Sequence, residues 1–308
     1  MSSPTIDIEI AQSSLFPKTM PVNSILGNHL NYGVYHSNQL TPEQFAENGF
    51  IAYNPQMIAR GIRVYWRAQE KQKITLHLSI PTSSEEIKEL FDMVGRITAV
   101  WKSNTVKVGS QYIYPQLLDT VIEKYQAVNL KTLHEVGLTV LDGSRGLMIM
   151  GCAMHRLVIG KHEADYFWSG TDTDAFRDWM NERQSVNAIL SEPEIYEPKD
   201  HIGAKVGEYS VYSGIPTIFP KHPAVPNKYY DFKTGRPMFE VSFYRVRLID
   251  QETPVGYLTF QEFMRELPAD SCDYYDADDY LIRSLTREEL GQMVQRAKDK
   301  AKPHAAEE

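Results

Sequence analysis

Hydrophobic and polar residues follow two different periods between residues 60 and 101. Apolar side chains alternate with polar ones over 62–66 and again over 74–80, where Pro81 ends the pattern. Because successive side chains of a strand point to opposite faces, both stretches predict half-buried strands. The following apolar residues recur at helical spacing and predict one amphipathic helix: Ile87, Leu90, Phe91, Val94, Ile97 and Trp101.

The order strand, strand, helix recurs along the chain. A second copy starts with "RGLMIMG" and continues through "HRLVIGK" to a helix near Phe176–Arg183. A third has "FEVSFYRVRLID", "VGYL" and a helix after Thr259. These repeated units predict an α+β fold of mostly antiparallel sheets with helices packed on one face. Whether they reflect internal duplication stays open, because such units are common in α+β proteins.

Helix starts are marked by capping boxes, in which a hydroxyl residue precedes Glu or Gln by three positions. Such boxes begin at Thr41, Ser83, Thr259 and Thr286. Gly137 is expected to end a helix that begins near Leu117, and a turn follows. We therefore predict an N-terminal α+β domain over 1–138 and a C-terminal one over 139–308, with a single domain as the alternative.

Composition excludes several classes of protein. Hydrophobic residues make up 42% and charged residues 23%, which are ordinary globular values. The net charge of −8, without a basic run, argues against nucleic acid as a partner. No apolar stretch is long enough to span a membrane, and the N-terminus lacks the pattern of a signal peptide. The two cysteines lie 120 positions apart, so we expect unpaired thiols in a cytoplasmic protein.

The stretch "DSCDYYDADDYLI" at 270–282 is the most acidic of the chain. Counted from Asp276, it lacks the glycine and the final glutamate of a calcium-binding EF-hand loop. We therefore predict no metal site. Nine acidic residues and three arginines lie between Glu262 and Leu290, so Asp276, Asp278 and Asp279 are candidates for docking a partner protein with a basic surface.

The segment 213–238 is rich in proline and is expected to be a long irregular loop. It presents basic and aromatic residues, a composition that is enriched at binding hot spots. We take His222, Tyr229, Tyr230 and Arg236 as candidate binding residues. The alternative is that the tyrosines pack the loop against the body of the protein.

Catalytic motifs are not found in the sequence. The stretch "HEAD" at 162–165 lacks the second histidine of a zinc-binding HExxH motif and is expected in a turn, and His155 lies in a strand-like region. There is no G-x-S-x-G, P-loop or dinucleotide-binding motif. No cofactor is predicted, and catalytic residues stay unknown.

Several phrases together resemble an uncharacterised bacterial family with a domain of unknown function. They are "LHLSIPTSSEEIKELFDMVGRI", "GLMIMGCAMHRLVIGKHEADYF", "KYYDFKTGRPMFEVSFYRV" and "PVGYLTFQEFMREL". The resemblance implies a bacterial, cytoplasmic setting and carries over no functional residue.

Two functions remain. The first is a non-enzymatic binding or interaction module with an acidic docking segment. The alternative is a metal-assisted hydrolase whose carboxylates and histidines are brought together by folding. The oligomeric state is not predicted.

Overall fold

The computed structural model describes residues 4–12, 18–36, 39–42, 49–66, 73–144, 146–199, 203–231 and 234–301. The chain divides into two compact units, Met1–Val186 (unit 1) and Asn187–Glu308 (unit 2). Helices and mostly antiparallel sheets together confirm the predicted α+β class. The predicted domain boundary at 138/139 lies within a helix, and the number of independently folding domains stays a prediction.

Unit 1 contains ten strands and five α-helices among its described residues. The strands are β1 (Thr5–Ala11), β2 (Asn31–His36), β3 (Gln39–Pro42), β4 (Phe50–Tyr53), β5 (Ile62–Tyr65), β6 (Lys73–Ser79), β7 (Val106–Val108), β8 (Gln111–Ile113), β9 (Met148–Gly151) and β10 (Arg156–Ile159). The helices are α1 (Val22–Leu26), α2 (Ser84–Trp101), α3 (Leu118–Leu141), α4 (Lys161–Phe167) and α5 (Asp174–Gln184).

The main sheet of unit 1 is antiparallel throughout, in the order β3-β2-β4-β5-β6-β1-β7-β8. The alternating isoleucines of β1 are fully buried and join the core with Leu76 and Leu78 of β6. Phe91 and Val94 of α2 fill the same core. The strand, strand, helix order predicted for 60–101 is therefore confirmed.

Helix α2 begins as its capping box predicts. The Ser83 hydroxyl accepts the backbone N–H of Glu86 at 3.0 Å. The Glu86 carboxylate, however, does not return to the cap. It accepts the backbone N–H groups of Arg60 and Gly61, so the first turn of the helix also fixes the segment that precedes β5.

Two predictions about helix ends are wrong. Thr41 does not start a helix, because Thr41 and Pro42 belong to β3, where Thr41 pairs with Val34 of β2. Gly137 does not end a helix, because α3 continues to Leu141. A Cβ on Gly137 would lie 2.5 Å from the Cβ of Trp168, the residue that follows α4. This glycine therefore lets α3 pack closely against Trp168.

The expected turn at "HEAD" is also wrong, since 161–167 form α4, capped by the carboxylate of Glu163 on the N–H of Gly160. Some of the predicted segments lie outside the described residues: Glu43 and Gln44 of the first box, residues 67–72 between the first two predicted strands, Arg145 and the tail 302–308.

Unit 2 contains eight strands and two α-helices among its described residues. The strands are β11 (Ile189–Leu190), β12 (Glu194–Tyr196), β13 (Val206–Tyr212), β14 (Thr217–Pro220), β15 (Phe243–Asp250), β16 (Thr253–Thr259), β17 (Cys272–Tyr274) and β18 (Asp279–Ile282). The helices are α6 (Phe260–Glu266) and α7 (Arg287–Ala301).

Two four-stranded sheets, β11-β14-β18-β17 and β12-β13-β15-β16, enclose the core of unit 2 with α6 and α7. β13 pairs with β15 in parallel and β11 with β14 in parallel, while the other pairs are antiparallel. The third predicted strand, strand, helix unit is confirmed as β15, β16 and α6. The predicted irregular loop is interrupted by the buried strand β14, because its apolar side chains join the core.

Candidate functional site

The acidic stretch folds into the hairpin turn between β17 and β18. The Oδ1 atom of Asp276 accepts the backbone N–H groups of Asp278 and Asp279, each at 2.9 Å. The side chains of Asp276 and Asp279 are buried, with exposures of 0% and 1%. Only Asp278 of the three predicted docking residues is partly exposed. Two of the three therefore hold the turn and are not accessible to a partner.

Lys221 connects this turn to the part of the proline-rich loop that follows β14. Its Nζ donates to the carbonyl oxygens of Asp276 at 2.6 Å and Ala277 at 3.2 Å. The same ammonium lies 4.0 Å from the ring centroid of Tyr274. A cation of the basic loop thus stabilises the acidic turn, which joins two segments that the sequence analysis treated as separate sites.

The remaining acidic residues of this region are largely paired within the chain. Glu266 is 1% exposed and meets Arg265, Arg296 and Lys300, which lower the pKa of its carboxyl to about 2. Arg283 likewise lowers the pKa of Glu289 to about 2. The net charge counted from the sequence is therefore not the charge presented to a partner.

The proline-rich loop contains a small hairpin. The N–H of Met238 donates to the carbonyl of Tyr229, and the N–H of Asp231 donates to that of Arg236, both at 2.8 Å. The Tyr229 ring packs 5.2 Å from that of Phe239. Hence the packing interpretation fits Tyr229, whose side chain is half-buried, as is that of Tyr230.

Two of the four predicted loop residues are exposed. Arg236 pairs through its backbone with Asp231 in the hairpin, and His222 lies just after β14, beside Lys221. Arg236, Lys228 and Lys205 form no ion pair with a carboxylate among the described residues, although both lysines lie over aromatic rings. We call Lys228 and Arg236, with Lys205 beside them over Phe239, the basic hairpin, a basic surface on an acidic chain.

A second surface was missed from the sequence. One face of the sheet β12-β13-β15-β16 packs on the core, while the other presents two arginines among aromatic rings. We call the latter the arginine–tyrosine face and define it by Tyr196, Phe243, Arg245, Arg247 and Tyr257. Phe243 and Tyr257 are 43% and 46% exposed, so the face presents apolar ring surface as well as guanidinium groups.

Arg245 lies at the centre of this face. Its Nε donates to Oε2 of Glu208 at 2.6 Å, and the hydroxyl of Tyr196 donates to the same oxygen at 3.1 Å. The guanidinium lies 4.5 Å from the ring centroid of Tyr257 and 5.6 Å from that of Tyr196. Burial, and then the charge of Glu208, raise the pKa of Tyr196. These contacts fix Arg245 in place.

Arg247 is held far less firmly. Its Nη1 is 4.0 Å from Oε1 of Glu208, which is beyond a hydrogen bond. Its Nε is shielded from solvent and donates to no described residue. Two guanidinium groups therefore share one carboxylate, and this cluster has an excess of positive charge.

The sequence does contain a signal for this face. Phe243, Arg245 and Arg247 alternate within "FYRVRLID", so a strand places them on one side. Their partners Tyr196, Glu208 and Tyr257 lie on other strands, however, and only the sheet order brings them together.

Unit 1 also contains a polar cluster, around Glu86. Its carboxylate accepts the N–H of Gly61 at 2.7 Å, the N–H of Arg60 at 3.1 Å and the hydroxyl of Thr82, and burial raises its pKa. The Arg60 side chain donates to the carbonyls of Gly151 and Pro81. Each of these polar groups has a hydrogen-bond partner, as expected of a cluster that stabilises the fold.

A cleft of about 170 Å³ lies beside this cluster. Its wall includes Glu85 and Glu89, which pair with Arg177 and with His29 and Arg96, respectively. Glu85 and Glu89 are thus already engaged by the guanidinium groups of Arg177 and Arg96.

The histidines considered as metal ligands do not converge. His155 is buried, where desolvation lowers its pKa to about 4, and His162 lies on α4. A further histidine of the sequence, His201, lies outside the described residues. Within the described ranges, no three His, Cys, Asp or Glu side chains are grouped so that they could hold a metal ion. Neither cysteine forms a disulfide.

Fold and site together define a class: an α+β protein with antiparallel-dominated sheets, one of which carries an open face of arginine and tyrosine. The chain belongs to the family described as Domain of unknown function (DUF4299), whose model matches residues 5–293. The resemblance read from the sequence is thereby confirmed. Comparison with curated proteins and with solved structures gave no match. Among the described helices, none has the length and apolarity needed to cross a membrane.

Proposed function

We propose that this chain is a non-enzymatic binding module whose arginine–tyrosine face holds an acidic surface of a partner protein. The observation that carries the proposal is the sharing of one carboxylate, Glu208, by Arg245 and Arg247. A carboxylate from a partner supplies the negative charge that this cluster lacks. Potentials of opposite sign at an interface favour and orient encounter.

The composition of the face supports the same proposal. Tyrosine and arginine are enriched among residues that dominate binding energy, because they combine apolar area with directional hydrogen bonds. Phe243 and Tyr257 expose apolar area on either side of the arginines. The opposite face of the sheet packs on the core, so little conformational entropy is lost when a partner binds.

The basic hairpin is a second group of positive charges in unit 2, besides the arginine–tyrosine face. It leads into β15, whose first residue is Phe243 of the arginine–tyrosine face. Lys228 and Arg236 are exposed and without a described ion pair, so they are available to a negatively charged partner. We therefore include the hairpin in the proposed binding surface.

The test compares single substitutions in the arginine–tyrosine face with a control substitution outside it. Immobilised wild-type chain is expected to retain a stoichiometric partner from native lysate, and Arg247→Glu and Phe243→Ser are each expected to remove most of it. Lys298→Glu is the matched control, because Lys298 is an exposed cation on α7 outside the face. Cross-links from the partner should map to an acidic segment.

Retention of the same partner by all three variants, or cross-links to a basic segment, contradicts the proposal. Circular dichroism and thermal melting of each variant separate loss of binding from loss of folding. Binding that weakens as salt increases is the expected electrostatic signature.

An acidic docking surface for a basic partner is the second candidate. It is favoured by Asp270, whose side chain is 81% exposed, and by exposed Asp273. Paired Asp270→Lys and Asp273→Lys substitutions in the same experiment distinguish it, because they should release a basic partner and leave an acidic one bound. The metal-assisted hydrolase has no ligand group among the described residues to support it and is not proposed.

A bacterial cytoplasmic setting belongs to this proposal. Its support is the family resemblance together with two cysteines that form no disulfide, as is usual in reducing compartments.

A further inference from the structure

The cross-strand neighbours of Arg247 form a row without carboxylates. In the register of the sheet, Arg247 lies opposite Ser210 of β13 and opposite Tyr257 of β16. Both neighbours carry hydroxyl groups, which can donate to an oxygen anion. The Arg247 side chain as a whole is 35% exposed, so a ligand can reach part of it from solvent, although its Nε is shielded.

The acidic groups of this face lie in the adjacent row. Glu208 is directly opposite Arg245 and is engaged by it, while exposed Glu194 lies opposite Glu208 on β12, two strands away from β15. Neighbouring strands are about 4.8 Å apart, so Glu194 is about 10 Å from Arg245 and further still from Arg247, and it is screened by water and salt. Glu262 is bonded to Thr259 opposite Arg245.

We infer that Ser210, Arg247 and Tyr257 form an oxyanion subsite, which takes the phosphate of a monoester or the carboxylate of an acidic side chain. A guanidinium binds such groups side-on through two parallel N–H donors. The Nε of Arg247 has no described acceptor, and a side-on oxyanion supplies one. Tyr257 is 46% exposed and is the neighbour with room to move aside when the anion enters.

This inference rests on the proposed function, since it names the group that the partner presents at the face. It is nevertheless testable without the partner. Inorganic phosphate and acetate are the two probes, titrated separately into the full chain while the Nε–H signals of the arginines are followed by NMR. Phosphate, acetate or both should shift the Arg247 signal saturably, together with ring signals of Tyr257.

The variants are Arg247→Gln, which removes the charge and the donors, and Arg247→Lys, which keeps the charge alone. Binding should be lost in the first and weakened about tenfold in the second, because a lysine cannot donate two parallel hydrogen bonds. Arg287→Gln is the matched control, since Arg287 is 78% exposed and only loosely paired with Asp250 at 3.5 Å. It should bind like the wild type.

The ratio of the phosphate affinity to the acetate affinity shows which anionic group the partner presents. Phosphate binding about tenfold tighter than acetate indicates a phosphorylated partner, while similar affinities indicate acidic side chains. No saturable shift with either probe at millimolar concentration overturns the inference. If the Tyr257 ring signals shift equally in Arg247→Gln and Arg287→Gln, the probe is an adventitious ion only, and this result overturns the inference as well. The anion titration tests the subsite, and the capture of a partner from lysate tests the proposed function. A negative result in one experiment therefore does not decide the other.

Discussion

The Oδ1 atom of Asp276 accepts the backbone N–H of Asp279 at 2.9 Å, inside a hairpin turn where both side chains are buried. The same oxygen accepts the N–H of Asp278. Aspartate favours turns because its side chain can hydrogen-bond to the backbone two or three residues further on. The density of aspartates in this stretch is therefore explained in part by the turn itself.

Replacing Asp276 by alanine should destabilise unit 2. The substitution leaves two backbone N–H groups without their acceptor in a poorly solvated turn, at a cost of about 1–3 kcal/mol in the free energy of unfolding. Asp276→Asn keeps an oxygen at the same position and should cost less. Urea denaturation of both variants measures the difference. Equal stability of the alanine variant and the wild type would show that the turn does not depend on this carboxylate.

The sequence predicted those elements whose pattern is local. The alternation of β6 and the spacing of α2 are visible within single segments, so both elements were found. Thr41 and Gly137 misled for a common reason. Their local signals are real, but the pairing of Thr41 with Val34 and the packing of Gly137 on Trp168 involve residues elsewhere in the chain.

Gly137 provides a direct test of that packing. Glycine in a helix normally costs about 0.5–1 kcal/mol relative to alanine, so a Gly→Ala change in a helix usually stabilises. At Gly137 the new Cβ would meet Trp168 at 2.5 Å, and Gly137→Ala should instead lower the free energy of unfolding by about 1–3 kcal/mol. Gly95→Ala in α2 is the control, because apart from the backbone of its own helix no atom lies within 4 Å of its Cβ position, and it should stabilise. Thermal or urea unfolding that gives both changes the same sign would refute the close contact.

The binding surface was harder to predict than the fold. Arg245 and Arg247 lie two positions apart and their shared face follows from strand alternation. Glu208 lies 37 positions before Arg245, and their contact depends on the parallel pairing of β13 with β15. A single sequence contains no signal for that pairing. The buried state of Asp276 and Asp279 could not be predicted for the same reason, since it depends on how the hairpin packs.

Stability at acid pH should depend on Glu266. Its pKa is about 2 in the folded chain, against 4.5 for a free carboxyl, because Lys300, Arg265 and Arg296 favour the charged form. A folded pKa below the unfolded value means that the stabilisation is complete above pH 4.5 and is lost as the pH falls towards 2. Glu266→Gln should therefore be less stable than the wild type at neutral pH, and the gap should close across that window.

Urea denaturation at several pH values measures this gap. Glu240→Gln is the matched control, because Glu240 is exposed and forms no ion pair with a described residue. Its stability should differ little from that of the wild type at any pH. A gap for Glu266→Gln that does not change between pH 4.5 and 2 would show that packing, and not charge, is the source of its effect.

Glu208 should set the anion affinity of the arginine–tyrosine face. Its carboxylate competes with any incoming anion for Arg245 and Arg247. Repulsion between Glu208 and an anion about 6 Å away is about 0.7 kcal/mol even at the dielectric constant of water. Glu208→Gln should therefore increase phosphate affinity about threefold or more. It should also lower the free energy of unfolding by about 1 kcal/mol, because a charged hydrogen bond to Arg245 becomes a neutral one.

The control is Glu194→Gln, which removes a carboxylate from the same face at the position opposite Glu208. Glu194 is exposed and lies two strands from the arginines, so the solvent screens it and its removal should change phosphate affinity far less. Phosphate titration and urea denaturation of both variants give the two quantities. Similar gains in the two variants would mean that net charge alone governs the affinity. A gain confined to Glu208→Gln is expected if the anion binds at the arginine pair, since Glu208 is the one carboxylate among the described residues that lies within 4.0 Å of both guanidinium groups.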